Sequence, residues 1–352
     1  MKAILLLGGF GTRLRPLTND TPKQMLPVCG RPMIEWVCEH LHRHGVDEIV
    51  LSLGYRAEVF TAAYPHGRIG QLAYQVAVEP DPRGTAGAVR FAAEACGITG
   101  TFLVLNGDVL TDLDVGALAS RHASSGAEAA IALQPVADPS PYGLVVADPS
   151  GRVLSFSEKP DPGSAPAALP PGERPTISAG TYVLTSAVLA RIAPDRPVSI
   201  EREIFPQIVA DGALAALVAD TYWLDTGTPQ QYLAANLDVL EGRRPLAHVV
   251  DGGAVPGVPP LEKPAGGVHP EAQIRTSVVG RGCQIGPGAV VQRSVVGDGC
   301  RLAAGAIVID SVLGPGVAVG AGAALCDFSV VGSGEQVAPG AVLRAQRQPP
   351  PD

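Results

Sequence analysis

The chain has 352 residues, of which 46% are hydrophobic and 17% are charged, and its formal net charge is -8. This length allows about two domains of ~150 residues each, and the composition excludes both a disordered chain and a disulfide-stapled miniprotein. Because the acidic balance does not suit binding to a phosphate backbone, no nucleic-acid partner is expected.

Up to about residue 240, short apolar runs alternate with longer amphipathic stretches. The strand candidates are residues 3–7, 48–52, 73–78, 101–106, 129–133, 143–147, 153–158 and 180–184, and the helix candidates are 33–44, 57–63, 87–96, 115–122 and 200–210. Strands and helices in alternation predict a doubly wound α/β sheet with parallel pairing. Ligands of such sheets bind beyond the carboxyl ends of the strands.

Two segments rich in proline and glycine are predicted to be connectors. The first, residues 160–175, reads as a surface loop, and the second divides the chain into domains at 1–242 and 268–352 with a linker at 243–267. The chain has no apolar run of 18 residues and no signal-peptide pattern at its start. We therefore expect a cytoplasmic protein with no membrane partner, whose six cysteines are reduced core thiols.

Beyond the linker the sequence repeats. A Ser-Val-Val/Leu-Gly motif begins at residues 277, 294, 311 and 329, and aliphatic residues recur every six positions within each interval. Three aliphatic positions per interval predict a triangular solenoid whose inward side chains stack from coil to coil. Cys283 and Cys300, which are 17 residues apart, should stack as free thiols in adjacent coils.

A glycine-rich turn follows the first strand. It contains Leu7, Gly8, Gly9, Gly11, Thr12 and Arg13. Glycines allow backbone N–H groups to approach phosphate oxygens closely, and an arginine can bind a polyphosphate through two nitrogens. The turn is neither a Walker A loop nor a dinucleotide fingerprint. Lys23 follows ten residues later as a second cation, and an ordinary glycine turn with a surface arginine is the alternative interpretation.

Two carboxylates are candidates for holding Mg²⁺. Asp108 follows the strand 101–106 and its last residue Asn106, while Asp225 is expected in a short turn before a helix. Mg²⁺ binds through one or two carboxylates together with substrate phosphates, although either aspartate alone also suits a turn or a helix cap. At the end of another strand, Glu158 could accept hydrogen bonds from sugar hydroxyls and Lys159 could neutralise a phosphate.

These motifs together resemble those of sugar-1-phosphate nucleotidyltransferases, most closely the mannose-1-phosphate guanylyltransferase branch. The resemblance rests on residues 8–18, Pro22-Lys23, 84–87, Asn106-Gly107-Asp108, Tyr142-Gly143, Glu158-Lys159-Pro160, 199–206, Trp223-Leu224-Asp225 and the C-terminal repeats. It implies a Rossmann-like doubly wound mixed sheet followed by a hexapeptide-repeat left-handed β-helix. The implied reaction is Mg²⁺-dependent attack of a sugar 1-phosphate on a nucleoside triphosphate, releasing pyrophosphate.

The resemblance also implies roles for individual residues. Arg13, Lys23, Asp108 and Lys159 would be catalytic, and Asp108 and Asp225 would hold the metal. The nucleotide would bind Leu7, Gly8, Gly9, Gly11, Thr12, Arg13, Glu79, Gly84, Thr85 and Asn106, and the sugar would bind Gly143, Glu158, Lys159 and Ser178.

Alternatives remain open at this stage. Many relatives carry asparagine where this chain has Ser178, so a hexose other than mannose or a cyclitol is possible, as is another base. A non-catalytic subunit that senses nucleotide sugars is a further alternative. Such a subunit would be expected to have lost a charged residue of the motifs, but Arg13, Lys23, Asp108 and Asp225 are all present. Acyl transfer by the solenoid is disfavoured because its only histidine is His269, at the first edge. The β-helix or the catalytic domain is expected to mediate homo-oligomerisation.

Overall fold

The structure, a computed structural model, describes residues 1–54, 56–159, 174–244 and 267–350. Most of the predicted connectors, at 160–173 and 245–266, therefore lies outside the described residues. The chain forms two compact units, one made of Met1–Gly9 with Val37–Trp223 and the other of Phe10–Trp36 with Leu224–Asp352. The domain limits drawn from the sequence stay a prediction.

Before the repeats, the described residues form fourteen strands and six α-helices. The strands are β1 (Lys2–Leu6), β2 (Pro27–Val28), β3 (Arg31–Pro32), β4 (Glu48–Leu53), β5 (Arg68–Ile69), β6 (Leu72–Val78), β7 (Thr101–Asn106), β8 (Val109–Thr111), β9 (Ala129–Pro135), β10 (Gly143–Ala147), β11 (Val153–Glu158), β12 (Thr176–Thr185), β13 (Leu214–Val218) and β14 (Trp223–Asp225). The helices are α1 (Met33–Arg43), α2 (Ala57–Ala63), α3 (Gly84–Ala95), α4 (Val115–Ser125), α5 (Phe205–Ala210) and α6 (Pro229–Leu240).

The first unit is built on a ten-stranded mixed sheet. β7, β1, β4 and β6 run parallel in that order, because the α/β segments between them return the chain to the same end of the sheet. β12 lies antiparallel to β7 and leads to β10 and β11 on one side and to β9 and β13 on the other. The mixed sheet implied by the resemblance is confirmed.

Several elements differ from those read off the sequence. The helix predicted at 87–96 begins earlier, at Gly84, and the strand predicted at 180–184 extends over Thr176–Thr185. The helix predicted at 200–210 starts as a π-helical turn, Ile200–Ile204. β13 was not predicted, because its run of small residues carries little alternation. Asp225 is the last residue of a short strand, not part of a turn.

The repeats of the second unit form three parallel sheets, as a left-handed β-helix requires. Their strands are β15 (Gln273–Arg275), β16 (Val278–Val279), β17 (Gln284–Ile285), β18 (Val290–Gln292), β19 (Val295–Val296), β20 (Arg301–Leu302), β21 (Ile307–Ile309), β22 (Val312–Leu313), β23 (Ala318–Val319), β24 (Ala324–Cys326), β25 (Val330–Val331), β26 (Gln336–Val337), β27 (Val342–Arg344) and β28 (Arg347–Gln348). Strands of the same sheet pair in register from coil to coil, and aliphatic side chains fill the interior. Cys283 and Cys300 are buried free thiols at equivalent positions of adjacent coils, as predicted.

Candidate active site

The glycine-rich turn begins at the carboxyl edge of the parallel strands in the first unit. The amide of Leu7 donates to the carbonyl of Ser52, over 2.9 Å, and the amide of Gly107 donates to the carbonyl of Leu6, over 3.1 Å. Gly8 therefore follows β1 at the point where the neighbouring strands β4 and β7 also end. Gly8 is exposed, so its backbone is open to a ligand at this edge.

Glu79 lies beside this glycine and is already hydrogen-bonded within the protein. Its Oε1 accepts from the hydroxyl of Ser52, over 3.2 Å, and its Oε2 accepts from the amide of Arg83, over 3.1 Å. A Cβ atom on Gly8 would lie 3.7 Å from Oε1 of Glu79. Glu79 thus fixes the turn before α3 and also forms a wall beside the predicted nucleotide-binding glycine.

Gly84 and Thr85 pack against a segment more than 100 residues later in the chain. Gly84 has a φ of +70°, and a Cβ atom there would lie 2.6 Å from the carbonyl oxygen of Val198. The hydroxyl of Thr85 donates to Oε2 of Glu201, over 2.7 Å, and accepts from the amide of Ile200, over 2.8 Å. The two predicted nucleotide-binding residues therefore join the start of α3 to the segment that carries Glu201.

The predicted sugar-binding residues come together on the antiparallel part of the sheet. Gly143 pairs with Glu158 across β10 and β11, and a Cβ atom on Gly143 would lie 2.9 Å from Oε2 of Glu158. Lys159, with a φ of +47°, donates its amide to the carbonyl of Tyr142 over 3.0 Å. A side chain at position 143 would therefore displace the Glu158 carboxylate from this position.

Glu158 is half-buried in a cluster of charges. Burial, and secondly the negative charge of Glu201, raise the pKa of the Glu158 carboxyl above its ordinary value. The positive charges of Lys159 and Arg202 oppose this shift but do not cancel it. Such a carboxylate is incompletely solvated, which suits a group that accepts hydrogen bonds from a ligand.

Ser178 and Asn106 lie along β12 and its neighbour β7. The hydroxyls of Ser178 and Tyr182 are 3.4 Å apart. Gly180 has a φ of +73°, and a Cβ atom there would lie 2.7 Å from Nδ2 of Asn106. Because Asn106 pairs with Leu6 of β1, this row of polar groups reaches the edge from which Gly8 emerges.

Two aromatic residues flank this region. The indole of Trp223 donates to the carbonyl of Ala179, over 2.9 Å, and packs edge-on against Tyr142 with ring centroids 5.3 Å apart. Together with Tyr182, Glu201 and Arg202, they were not assigned site roles from the sequence. The charged block around Glu201 was the available signal, since two acids and an arginine follow directly on the buried Ile200.

The second unit carries Arg13 and Lys23, the two cations predicted to bind the nucleotide's phosphates. The hydroxyl of Thr18 donates to the carbonyl of Gly11, over 2.8 Å, and a Cβ atom on Gly11 would lie 3.5 Å from Cβ of Lys23. The side chain of Arg13 is 64% exposed, and its Nη2 lies 3.9 Å from Oδ2 of Asp225. This unit therefore brings together Gly11, Lys23, Arg13 and one of the two predicted metal ligands.

Asp225 is also held by the residues that follow its strand. Its Oδ1 accepts from the amide of Gly227, over 2.9 Å, and its side chain is 15% exposed. Asp108 is half-buried just beyond β7 in the first unit. Among the described residues, no group of three or more histidines, cysteines, aspartates and glutamates is placed to hold a metal ion. A carboxylate completed by substrate phosphates is a donor set that suits Mg²⁺, so each aspartate by itself fits such an ion.

Glycines at the end of the first parallel strand, with an arginine and a lysine soon after, are typical of α/β proteins that bind nucleoside phosphates. The chain belongs to the nucleotidyl transferase family, whose model matches residues 2–242. Residues 261–350 match a second model, the GMPPB C-terminal domain. None of the helices in the described part of the chain has the length and hydropathy needed to cross a membrane.

Similar proteins carry names that specify the reaction further. The mannose-1-phosphate guanylyltransferase of Mycobacterium tuberculosis is 35% identical over 300 residues, which cover 81% of this chain and 77% of that protein. Mannose-1-phosphate guanylyltransferase 1 of Arabidopsis thaliana is 37% identical over 294 residues, covering 82% and 75%. The crystal structure of HddC from Yersinia pseudotuberculosis is 28% identical with a TM-score of 0.57 and covers 68% of this chain and 99% of HddC. HddC complexed with GMP-PN matches with a TM-score of 0.54.

Proposed function

We propose that the protein transfers a guanylyl group from GTP to mannose 1-phosphate, in a reaction that depends on Mg²⁺. The names of the similar proteins support both substrates, and the HddC complex with GMP-PN supports a guanine nucleotide. A phosphate oxygen of the sugar 1-phosphate attacks the α-phosphorus, and the bond from that phosphorus to the oxygen bridging to the β-phosphorus breaks. GDP-mannose and pyrophosphate are the products.

At the nucleotide end, backbone amides of the glycine turn bind the triphosphate. Gly8, Gly9 and Gly11 allow close approach of the phosphates, with Leu7 and Thr12 flanking them. Arg13 and Lys23 neutralise the charge that moves onto the departing pyrophosphate, which is the largest electrostatic demand of phosphoryl transfer. On the first unit, Asn106 and the turn from Glu79 to Thr85 bind the nucleoside.

At the sugar end, Glu158 accepts hydrogen bonds from the hydroxyls and Lys159 binds the phosphate. Gly143 and Ser178 line the same region. The single observation that carries this assignment is the half-buried Glu158 carboxylate, held against Gly143 with its pKa raised, at the end of a row of polar groups that starts at Asn106. A partly desolvated carboxylate gains more free energy from a hydrogen bond with a sugar hydroxyl than a fully hydrated carboxylate does.

Asp108 and Asp225 would hold the metal ion. When bound, Mg²⁺ supplies positive charge that stabilises the phosphates and orients them for in-line attack. The chain's own contribution is to orient Asp225 through the amide of Gly227 and to place the Arg13 guanidinium beside it.

A pyrophosphate-release assay tests the proposal. GTP, ATP, UTP and dTTP are each combined with mannose, glucose and other hexose or cyclitol 1-phosphates, with and without Mg²⁺. We expect the GTP and mannose 1-phosphate pair to give the highest kcat/KM. Turnover with no pair of substrates would refute the enzyme assignment and leave a nucleotide-sugar sensor, whereas turnover with a different pair would correct only the specificity.

A variant links the assay to the site. Glu158→Gln should raise the KM for mannose 1-phosphate at least tenfold while leaving the KM for GTP within twofold, because only the sugar contacts change. Glu94→Gln, whose exposed carboxylate pairs with Arg90, is the matched control and should change neither constant. Equal effects of the two variants would remove Glu158 from the sugar site.

We also propose that the protein acts in the cytoplasm as a homo-oligomer. All six cysteines are free, which suits a reducing compartment. Val290, Ile307 and Val342 occur in register on one outer sheet of the β-helix, where Ile307 is 37% and Val342 is 57% exposed. Sedimentation velocity of the full chain tests self-association, and a single monomer species at micromolar concentration would contradict it.

A further inference from the structure

Gly332, near the end of the β-helix, has counterparts in the preceding coils, and the structure explains why those counterparts are glycines. Gly280, Gly297 and Gly314 occupy equivalent positions in three successive coils. A Cβ atom on them would lie 2.6, 2.6 and 2.8 Å from a backbone nitrogen of the following coil. Glycine is needed at these positions because the next coil stacks directly against the backbone.

Gly332 is the fourth member of this series, and a distant part of the chain contacts it in addition to the strand segment that follows. A Cβ atom there would lie 3.0 Å from Cβ of Pro16 and 3.3 Å from Cδ of Pro349. Nearby, Nη1 of Arg347 donates to the carbonyl of Arg15 over 3.1 Å. The amide of Gly332 also donates to the carbonyl of Gln348 over 2.7 Å, so Pro349 takes the position of the following coil, and residues 15 and 16 lie against this end of the β-helix beside it, all within the second unit. Terminal repeats of solenoids need such a cover, since their open end would otherwise face water.

The covering residues belong to the segment that carries Arg13. Leu14 and Pro16 are buried, the amide of Leu14 donates to the carbonyl of Gly11 over 2.9 Å, and the amide of Leu17 donates to the carbonyl of Leu14 over 3.1 Å. A displacement of the backbone at residues 15 and 16 would therefore be transmitted through a short, hydrogen-bonded turn.

We infer that the end of the β-helix positions the Arg13 guanidinium, with Arg347 and Gly332 as the positioning residues. The inference rests on the proposed role of Arg13 at the triphosphate. Arg13 itself is largely exposed and its own carboxylate neighbour is 3.9 Å away, so its side chain gains little order from that ion pair. The backbone that follows Arg13, by contrast, is fixed at two points. The side chain of Arg347 donates to the carbonyl of Arg15, and Pro16 contacts Gly332.

Amide hydrogen exchange of the full, ligand-free chain tests the positioning step without using activity. In Arg347→Ala, a peptide spanning residues 12–18 should exchange at least tenfold faster than in the wild type. Arg347→Lys keeps a donor and should restore most of the protection. Arg344→Ala is the matched control, because the Arg344 side chain is exposed and forms an ion pair with Asp327. Unchanged exchange in Arg347→Ala, or equal acceleration in the control, would overturn the inference.

Kinetics test the catalytic consequence. Arg347→Ala should lower kcat about tenfold, equivalent to ~1.4 kcal/mol in the barrier, and leave the KM for the sugar 1-phosphate within twofold. Arg347→Lys should recover kcat, and Arg344→Ala should equal the wild type. Faster exchange with unchanged kcat would refute the link to Arg13. Should the wild type lack turnover, the proposed function fails while the exchange data still decide whether the β-helix holds this segment. If Arg347→Ala does not fold, Gly332→Ala is measured in the same way.

Discussion

Replacement of Gly84 by alanine tests how the start of α3 is built. Gly84 combines a φ of +70° with close packing, since an added Cβ would meet the Val198 carbonyl oxygen at 2.6 Å. Gly97, beyond the other end of the same helix, has a φ of +61° but nothing within 4 Å of an added Cβ. Gly97→Ala therefore measures backbone strain alone, and Gly84→Ala measures strain plus displacement of the packed segment.

The structure sets the size of each effect. An L-residue in the left-handed region costs about 1–2 kcal/mol, which is all that is expected for Gly97→Ala. In Gly84→Ala, moving Val198 away also weakens its two shortest backbone hydrogen bonds to the start of α3, from Ala86 to the Val198 carbonyl at 2.9 Å and from Val198 to the Arg83 carbonyl at 2.8 Å. At about 0.5–1.5 kcal/mol each, they bring the expected loss to roughly 2–5 kcal/mol.

Urea unfolding followed by circular dichroism compares the free energies of unfolding of the two variants. We expect Gly84→Ala to be less stable than Gly97→Ala by about 1–3 kcal/mol, the share of the two hydrogen bonds. Its KM for GTP should also rise, because the proposed nucleoside-binding turn shifts with residue 84. Equal losses of stability in the two variants would refute the argument that the Val198 contact requires glycine.

Three further predictions concern the proposed chemistry. Arg13→Ala should reduce kcat by about 10²–10³-fold, because transition-state charge contacts contribute ~3–4 kcal/mol. The melting temperature should stay nearly unchanged, because an exposed ion pair contributes only ~0–1 kcal/mol to stability. A loss of kcat below fivefold in a steady-state assay would contradict this role. Asp225→Ala and Asp108→Ala, checked as folded by circular dichroism, should each lose Mg²⁺-dependent turnover, and near-normal rates would remove them from the metal site. Because the pKa of Glu158 is raised, this carboxylate takes up its proton at a higher pH than an ordinary glutamate does. As the pH falls through that range, kcat/KM for the sugar 1-phosphate should fall. Glu201→Gln removes a negative charge that raises this pKa, so the acid limb of its pH profile should move to lower pH, and an unmoved limb would exclude the coupling.

The sequence predicted most of the elements whose identity depends on local pattern. The strands at 101–106, 143–147 and 153–158 and the helix at 57–63 have the bounds that the structure shows. The triangular solenoid was predicted for the same reason, because a period of six with a Gly motif every 17 or 18 residues specifies each coil and its stacking on the next. Such patterns depend on neighbouring residues or neighbouring coils, so they are visible without the rest of the chain.

Contacts between distant segments were not visible in this way. Thr85 bonds to Glu201, 116 residues later, and Arg347 bonds to Arg15, 332 residues earlier. Nothing in either local sequence specifies its partner, because each interaction depends on where the sheet or the solenoid places the backbone. Glu201 consequently had no assigned role, although its charge acts on Glu158.

The sequence by itself determined which residue types are available at the site, since glycines, cations and acids in this order suit phosphate chemistry wherever they are placed. Only the tertiary structure decided which of them are already hydrogen-bonded within the protein, such as Glu79 and Thr85, and which segment covers the end of the β-helix. The physical reason is that hydrogen bonds and charge interactions act over a few ångströms in space, and separation along the chain does not specify that distance.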